Sequence, residues 1–359
     1  MTNRSPSEAD DPIVRAVHTA EPAAGPAAAE AIPADGTVIR VVSLEGDLLC
    51  DVEGEAAMAE LERAVSSTEA RVWVDLCGAT PARLAQVGRI LGFHPLLVED
   101  LAERDQRAKL EQMGEMLHLV VFSLGFDDGS VYDRELDFVL SGRVLLSSHS
   151  RWWDPRATHH MRLGLEAAMR RGADFLLWAL CDDTIDAYFP ILDKLGDEID
   201  ALEDEVVANA DRALLERLFE LKRELIQVRR TTAPEREMFN VLSSRGETPI
   251  SAENRLYFRD AYDHLIRLTD ELDTYRELAS ASLETYLSTV NNNLSLIMKR
   301  LTGVTVVVAG IGAVAGIFGM SEAQAAFRLD EGSGFWIVTA GCILLAGVAA
   351  AILHKIDWI

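Results

Sequence analysis

Two uncharged apolar runs near the C-terminal end constrain this chain more than anything else in it. From Leu301 to Met320 the sequence LTGVTVVVAGIGAVAGIFGM holds no charge, and twenty residues at helical rise cover roughly 30 Å, the hydrocarbon thickness of a bilayer. From Gly334 to Leu353, GFWIVTAGCILLAGVAAAIL is a second such run, with Trp336 near one end and Trp358 beyond the other, where indole rings favour a membrane interface. A buried hairpin in a soluble core is the alternative, but two runs of full spanning length favour the bilayer. Lys299 and Arg300 precede the first run, and His354 and Lys355 follow the second. The bias of Lys and Arg toward the cytoplasm predicts both termini cytoplasmic, and the expectation is a multi-pass protein of a bacterial-type inner membrane. The connecting loop, 321–333, then faces outside and presents Glu322, Asp330 and Glu331 against a single Arg328.

The segment leading into the first run has neither proline nor glycine from Ala252 to Arg300, so a helix can enter the membrane unbroken. Ala261, Leu265, Leu268 and Leu272 begin a three-four alternation that continues through Leu294, Ile297 and Leu301, the pattern of a packed helix seam. A helix over 252–318 would be about 100 Å long. Such a length needs lateral partners, and copies of the same chain around a symmetry axis supply them; they also explain how two spans per chain can surround a pore.

The rest of the chain divides by composition. Residues 1–36 are rich in Ala, Pro and Glu and lack aromatic residues, which predicts a disordered tail. Residues 37–180 alternate β-rich runs with helical stretches: TVIRVVSL, RVWVDL, MLHLVVFSL, and ELDFVL with RVLLSS around a Ser141-Gly142 turn. They predict an α/β domain. Residues 181–250 form an acidic helical region whose apolar seam runs through Ile185, Phe189, Leu192, Leu195 and Ile199. Then come the stalk (251–300), the first membrane helix (301–320), the outer loop (321–333), the second membrane helix (334–353) and a cytoplasmic tail (354–359).

Charge narrows the partners. A net charge of −24 argues against nucleic acid, which needs clustered Lys and Arg, and toward cations. Cys50, Cys77, Cys181 and Cys342 show no paired spacing of a zinc or redox motif. No nucleophile elbow, phosphate-binding glycine loop or metal triad points to an enzyme or an organic cofactor. The adjacent His159 and His160 point in different directions on a helix and are expected as a solvated pair.

Several stretches carry a family resemblance: FHPLLVEDLAERDQRAKLE from Phe93, DDTIDAYFPILDKLGDEIDALEDEV from Asp182, LKRELIQVRR from Leu221, and YFRDAYDHLIRLTDELDTYRELASASLETYLS from Tyr257. In this order, leading into a span that ends in Gly319-Met320, the chain resembles the CorA-type magnesium and divalent-cation transporters, to which the ZntB zinc branch is related. The resemblance implies a funnel-shaped homopentamer with a cytoplasmic α/β domain, a long pore-lining stalk helix and a membrane-helical C-terminus. It implies Mg²⁺ as both transported ion and regulator, with Co²⁺ or Ni²⁺ as further cargo.

The resemblance also assigns residues. The entrance signature Gly-Met-Asn reads Gly319, Met320 and Ser321 here; a serine hydroxyl still accepts from a hydrated ion but defines a wider ring than an amide, unless Ser321 only ends the helix. Ser295, Met298, Leu301, Thr302, Ala309 and Gly312 fall at the gate and along the pore. Asp100 and Asp260 match an inter-subunit Mg²⁺ sensor, with Glu99, Asp182 and His264 as neighbours. Two alternatives stay open: Zn²⁺ transport, with or without proton coupling, against which stands an outer loop without His or Cys, and a scaffold whose pore is degenerate.

Overall fold

A computed structural model describes residues 36–104, 106–127, 130–208, 210–244, 246, 248–318 and 331–355. Its contacts divide the chain into two units, Met1–Asp200 with Phe219–Ala279, and Ala201–Leu218 with Ser280–Ile359.

Among the described residues the first unit begins with β1 (Val38–Glu45), β2 (Leu48–Glu53), α1 (Glu55–Ser66), β3 (Arg71–Cys77), α2 (Pro81–Leu91) and α3 (Pro95–Ala102). It continues with β4 (Lys109–Met113), β5 (Met116–Asp127), β6 (Ser130–Ser141), β7 (Val144–His149), α4 (His159–Arg171) and α5 (Ala173–Asp186). The strands form one sheet in the order β2-β1-β3-β7-β6-β5-β4. Every pairing is antiparallel except the central one between β3 and β7. Alternation decides the faces: Ile39, Val41, Val72, Val74, Leu76, Val139 and Leu146 are buried together with Leu61 of α1, Val87 of α2 and Leu97 of α3. Helix α5 packs on the sheet at β5, β6 and β7.

All five β-rich runs read from the sequence are strands. The edge strands β2 and β4 escape that reading because LLCDVE and KLEQM have no continuously buried face, so no hydrophobic alternation marks them. The turn at Gly142 has a φ of 56°, which glycine adopts without strain. Helix α2 starts on a Thr80 cap that accepts from the Arg83 amide at 3.3 Å, with Pro81 next, and ends at Gly92 in a left-handed conformation.

Among the described residues four helices follow: α6 (Phe189–Ala208), α7 (Arg212–Ser243), α8 (Arg255–Phe318) and α9 (Glu331–Lys355). The seam expected to run through Ile185 and Phe189 is interrupted, since α5 ends at Asp186 and Pro190 sits in the first turn of α6, where its missing N–H is harmless. In the first unit α6 and α8 approach closely: a Cβ on Gly196 would lie 2.6 Å from the Tyr275 hydroxyl. Ala261, Leu265, Leu268 and Leu272 are buried there.

In the second unit α8 continues without a break to Phe318. Leu294, Ile297, Met298, Leu301, Val304, Val306 and Val308 are all more than half exposed. Among the described residues α8 is the helix long and apolar enough to cross a membrane, and α9 adds an apolar stretch over Thr339–Lys355. Because α9 begins at Glu331, Glu331 stands on a helix rather than in the loop expected over 321–333.

Candidate functional site

Two sets of the expected site residues lie on α8. In the first unit Asp260 and His264 are one turn apart, and Asp182 of α5 joins them: one ligand atom from each of the three lies within 4.8 Å of the others. His264 Nδ1 is 3.2 Å from Asp186 Oδ1, and its Nε2 is 4.0 Å from Asp260 Oδ2. Asp182 is only 2% exposed, and its Oδ1 has no hydrogen-bond partner among the described residues. Burial pushes its carboxyl well above the usual range, and Asp186, Asp183 and Asp260 push the same way. The Asp186 carboxylate beside His264 raises that imidazole, against burial and Arg267.

A buried acid with an orphaned oxygen, beside Asp260 and under the repulsion of further carboxylates, is the arrangement that a hard divalent cation relieves. The residues present therefore fit a Mg²⁺ ion, with Asp182 and Asp260 supplying oxygens. Asp186 belongs to the same group. Its place could have been read from the sequence, since Asp182 and Asp186 are spaced i,i+4 on one helix face.

Of the five expected sensor residues, the structure brings Asp182, Asp260 and His264 together within one chain. Asp100 lies on α3 in a separate cluster with Glu111 and His118, and Glu99 is exposed. The histidine pair is a correction. His160, expected in solvent, is 4% exposed, its Nδ1 2.8 Å from Asp183 Oδ1 and its ring edge-on to Trp178, because α4 packs against α5.

The second set lies along the apolar part of α8. Ser295, Met298, Leu301, Thr302, Ala309 and Gly312 are exposed, and at about 100° per residue they share roughly one third of the helix circumference. Gly319, Met320, Ser321, Glu322 and Asp330 lie outside the described residues, as do residues 1–35 and 356–359.

Comparison with known proteins places the chain in a family. The cobalt/magnesium transport protein CorA of Thermotoga maritima is 32% identical over 294 residues, covering 80% of this chain and 83% of that protein. The protein of the same name from Methanocaldococcus jannaschii is 25% identical over 292 residues, covering 80% and 91%. The complete structure of the CorA magnesium transporter from Methanocaldococcus jannaschii shares the fold, with a TM-score of 0.70 at 22% identity over 89% of this chain and 98% of that one. Residues 68–355 match the model of the CorA-like Mg²⁺ transporter protein, and the chain belongs to that family.

Proposed function

We propose that this membrane protein carries divalent cations, Mg²⁺ first and Co²⁺ second, through a homopentameric pore lined by α8, and that cytoplasmic Mg²⁺ closes it. The observation that carries this reading is the single unbroken helix Arg255–Phe318, which bears the acid and imidazole groups at Asp260 and His264 and, further on, an exposed apolar stretch of membrane character. It is a transporter and not an enzyme. The membrane potential drives entry, at about 2.3 kcal/mol per charge per 100 mV. Gly319, Met320 and Ser321 form the entrance, the outer acids Glu322, Asp330 and Glu331 draw cations to it, and Ser295, Met298, Leu301, Thr302, Ala309 and Gly312 line the path. Both termini are cytoplasmic.

Regulation follows from the acids. Asp260 and Asp100 hold Mg²⁺ where subunits meet, with Asp182 and His264 beside Asp260 and Glu99 beside Asp100, and the ion stabilises the closed assembly by removing the repulsion among the acids. Uptake of Mg²⁺, Co²⁺ and Zn²⁺ into proteoliposomes, with and without a proton gradient, tests the proposal. Mg²⁺ uptake that follows the potential is expected. Zn²⁺ uptake dependent on the proton gradient would replace it with the zinc reading, and absence of flux for all three with the scaffold reading. Ser321→Asn is expected to keep flux and sharpen the preference for Mg²⁺, whereas Ser321→Val, which removes every side-chain acceptor, is expected to weaken it. Unchanged ion order in both variants would take Ser321 out of the selectivity ring.

A further inference from the structure

A second set of donor atoms gathers on the sheet face under α3. Glu111 of β4 and His118 of β5 are direct partners in the antiparallel ladder, and Lys109 is one residue pair along on the same face. Asp100 on α3 completes the group, with one ligand atom each from Asp100, Glu111 and His118 within 4.8 Å of one another. His118 is fully buried. Its Nε2 is 3.0 Å from Asp137 Oδ1 on β6, and its Nδ1 has no hydrogen-bond partner among the described residues.

These contacts fit an imidazole protonated at Nε2. A carboxylate at Nε2 holds the proton there and leaves the Nδ1 lone pair free, the arrangement by which an outer carboxylate orients a metal-binding imidazole. A buried ring nitrogen without a partner is otherwise a cost. The side chains of Asp100 and Glu111 are 33% and 46% exposed, so the group opens to solvent above the buried ring. Between them lies the Lys109 ammonium, 2.8 Å from Asp100 Oδ2 and 3.2 Å from Glu111 Oε1. One positive charge against two carboxylates leaves a negative charge over, whereas a divalent ion in place of the ammonium would balance both. The flexible lysine stem lets the ammonium swing into water when displaced.

We infer that Asp100, Glu111 and His118 of a single chain form a site for a borderline transition metal such as Co²⁺, Ni²⁺ or Zn²⁺, with Asp137 positioning the imidazole and Lys109 as the resident cation. The imidazole decides the class of ion. Mg²⁺ is hard, prefers oxygen and keeps its waters, whereas imidazole nitrogen suits Co²⁺, Ni²⁺ and Zn²⁺. The site shares Asp100 with the proposed Mg²⁺ sensor but stands as a binding site without it.

The test uses full-length protein in detergent, stripped with chelator, saturated with Mg²⁺ and then titrated with Co²⁺ by calorimetry, with X-ray absorption of the bound Co²⁺ reading its ligands. One Co²⁺ per chain that survives excess Mg²⁺ and shows an imidazole ligand is expected. Asp137→Asn should weaken it about 10- to 100-fold, and Glu111→Gln by about tenfold or more, as a lost ligand should cost at least what a lost outer partner does. Lys109→Met should tighten it. Co²⁺ binding fully competed by Mg²⁺, or wild-type affinity in both Glu111→Gln and Lys109→Met, would overturn the site. Those two side chains reach solvent, so the test does not hinge on His118→Phe, which strips buried Asp137 of its partner. Flux plays no part in this readout, so the transport proposal and the metal site can fail separately.

Discussion

Along α8 the seam residues up to Tyr286 are covered by their own chain, and those beyond it are not. Leu265 and Leu272 are fully buried, whereas Ile297 and Leu301 are 59% and 58% exposed, although the three-four spacing does not change between them. Periodicity therefore reports that a helix face has a partner, without saying whether the partner is the same chain, another copy or lipid. The sharpest way to break this contrast is a pair of truncations. Leu265→Ala should destabilise the first unit by roughly 2–5 kcal/mol, the usual range for a buried leucine. Ile297→Ala should change that stability by less than about 0.5 kcal/mol while loosening the oligomer. Denaturation followed by fluorescence of the buried Trp73 and Trp178 reads the first effect, and native mass spectrometry reads the second. Equal unfolding costs for the two variants would erase the distinction.

Buried polar groups extend the comparison, because the first unit also covers a carboxylate that solvent would otherwise hold. Strand β4 pairs with β5 only as far as Val120, so the β5 edge is open at Phe122. Glu235 of α7 fills it: the Phe122 amide donates to Glu235 Oε1 at 2.8 Å, and Tyr188 Oη lies 3.0 Å from Oε2 while donating to the Phe122 carbonyl. Burial pushes the Glu235 pKa up to about 8, against the hydrogen bonds from Phe122 and Tyr188. A folded pKa raised above the unfolded value means stability that is complete below about pH 4.5 and is lost as pH rises to about 8.

Glu235→Gln should abolish that slope and, at pH 8, exceed the wild type by an amount on the order of a few kcal/mol. His149 adds its own fall between about 6.5 and 10: burial opposes its charge, and Asp75 more than offsets burial. Both proteins share it, so the difference between their stability profiles from pH 5 to 8 isolates Glu235. Parallel profiles would mean that the carboxyl is ionised in the folded state.

Much of this was legible because it depends on local pattern. The five strands with a buried face and the helix through Phe318 follow from periodicity and from the absence of breakers, whereas Asp260 and His264 were singled out by the family resemblance. What escaped depends on tertiary neighbours. Strands β2 and β4 are edges without a hydrophobic face, the burial of His160 needs Asp183 of the next helix, and Glu235 in a polar stretch gives no sign that it completes a strand edge 113 residues away. The cluster of Asp100, Glu111 and His118 was half visible, since the Asp100 segment was singled out, but only the β4–β5 register brings Glu111 and His118 together.

The smallest expected effect sharpens the comparison from the other side. The first unit also joins α7 to α8 by an ion pair, Arg229 Nε to Asp273 Oδ1 at 2.9 Å, with Arg276 Nη1 at 2.9 Å from the same oxygen. The Arg229 and Asp273 side chains are each 44% exposed, so water and salt screen the attraction, and pairs of this kind contribute about 0.2–1 kcal/mol. Burial favours the neutral form of Asp273, yet the hydrogen bonds from Arg229 and Arg276 outweigh it and hold the carboxyl below its usual range. The contribution is present at neutral pH and disappears as the solution is acidified through that depressed pKa. Arg229→Met, which keeps much of the apolar stem, should therefore cost under about 1 kcal/mol at 0.1 M salt and almost nothing at 1 M. Denaturation of the variant and the wild type at the two salt concentrations measures this. If the pair is instead worth as much as Leu265, and salt does not remove it, then charge on the rim and not the apolar seam holds the first half of α8 to its own chain.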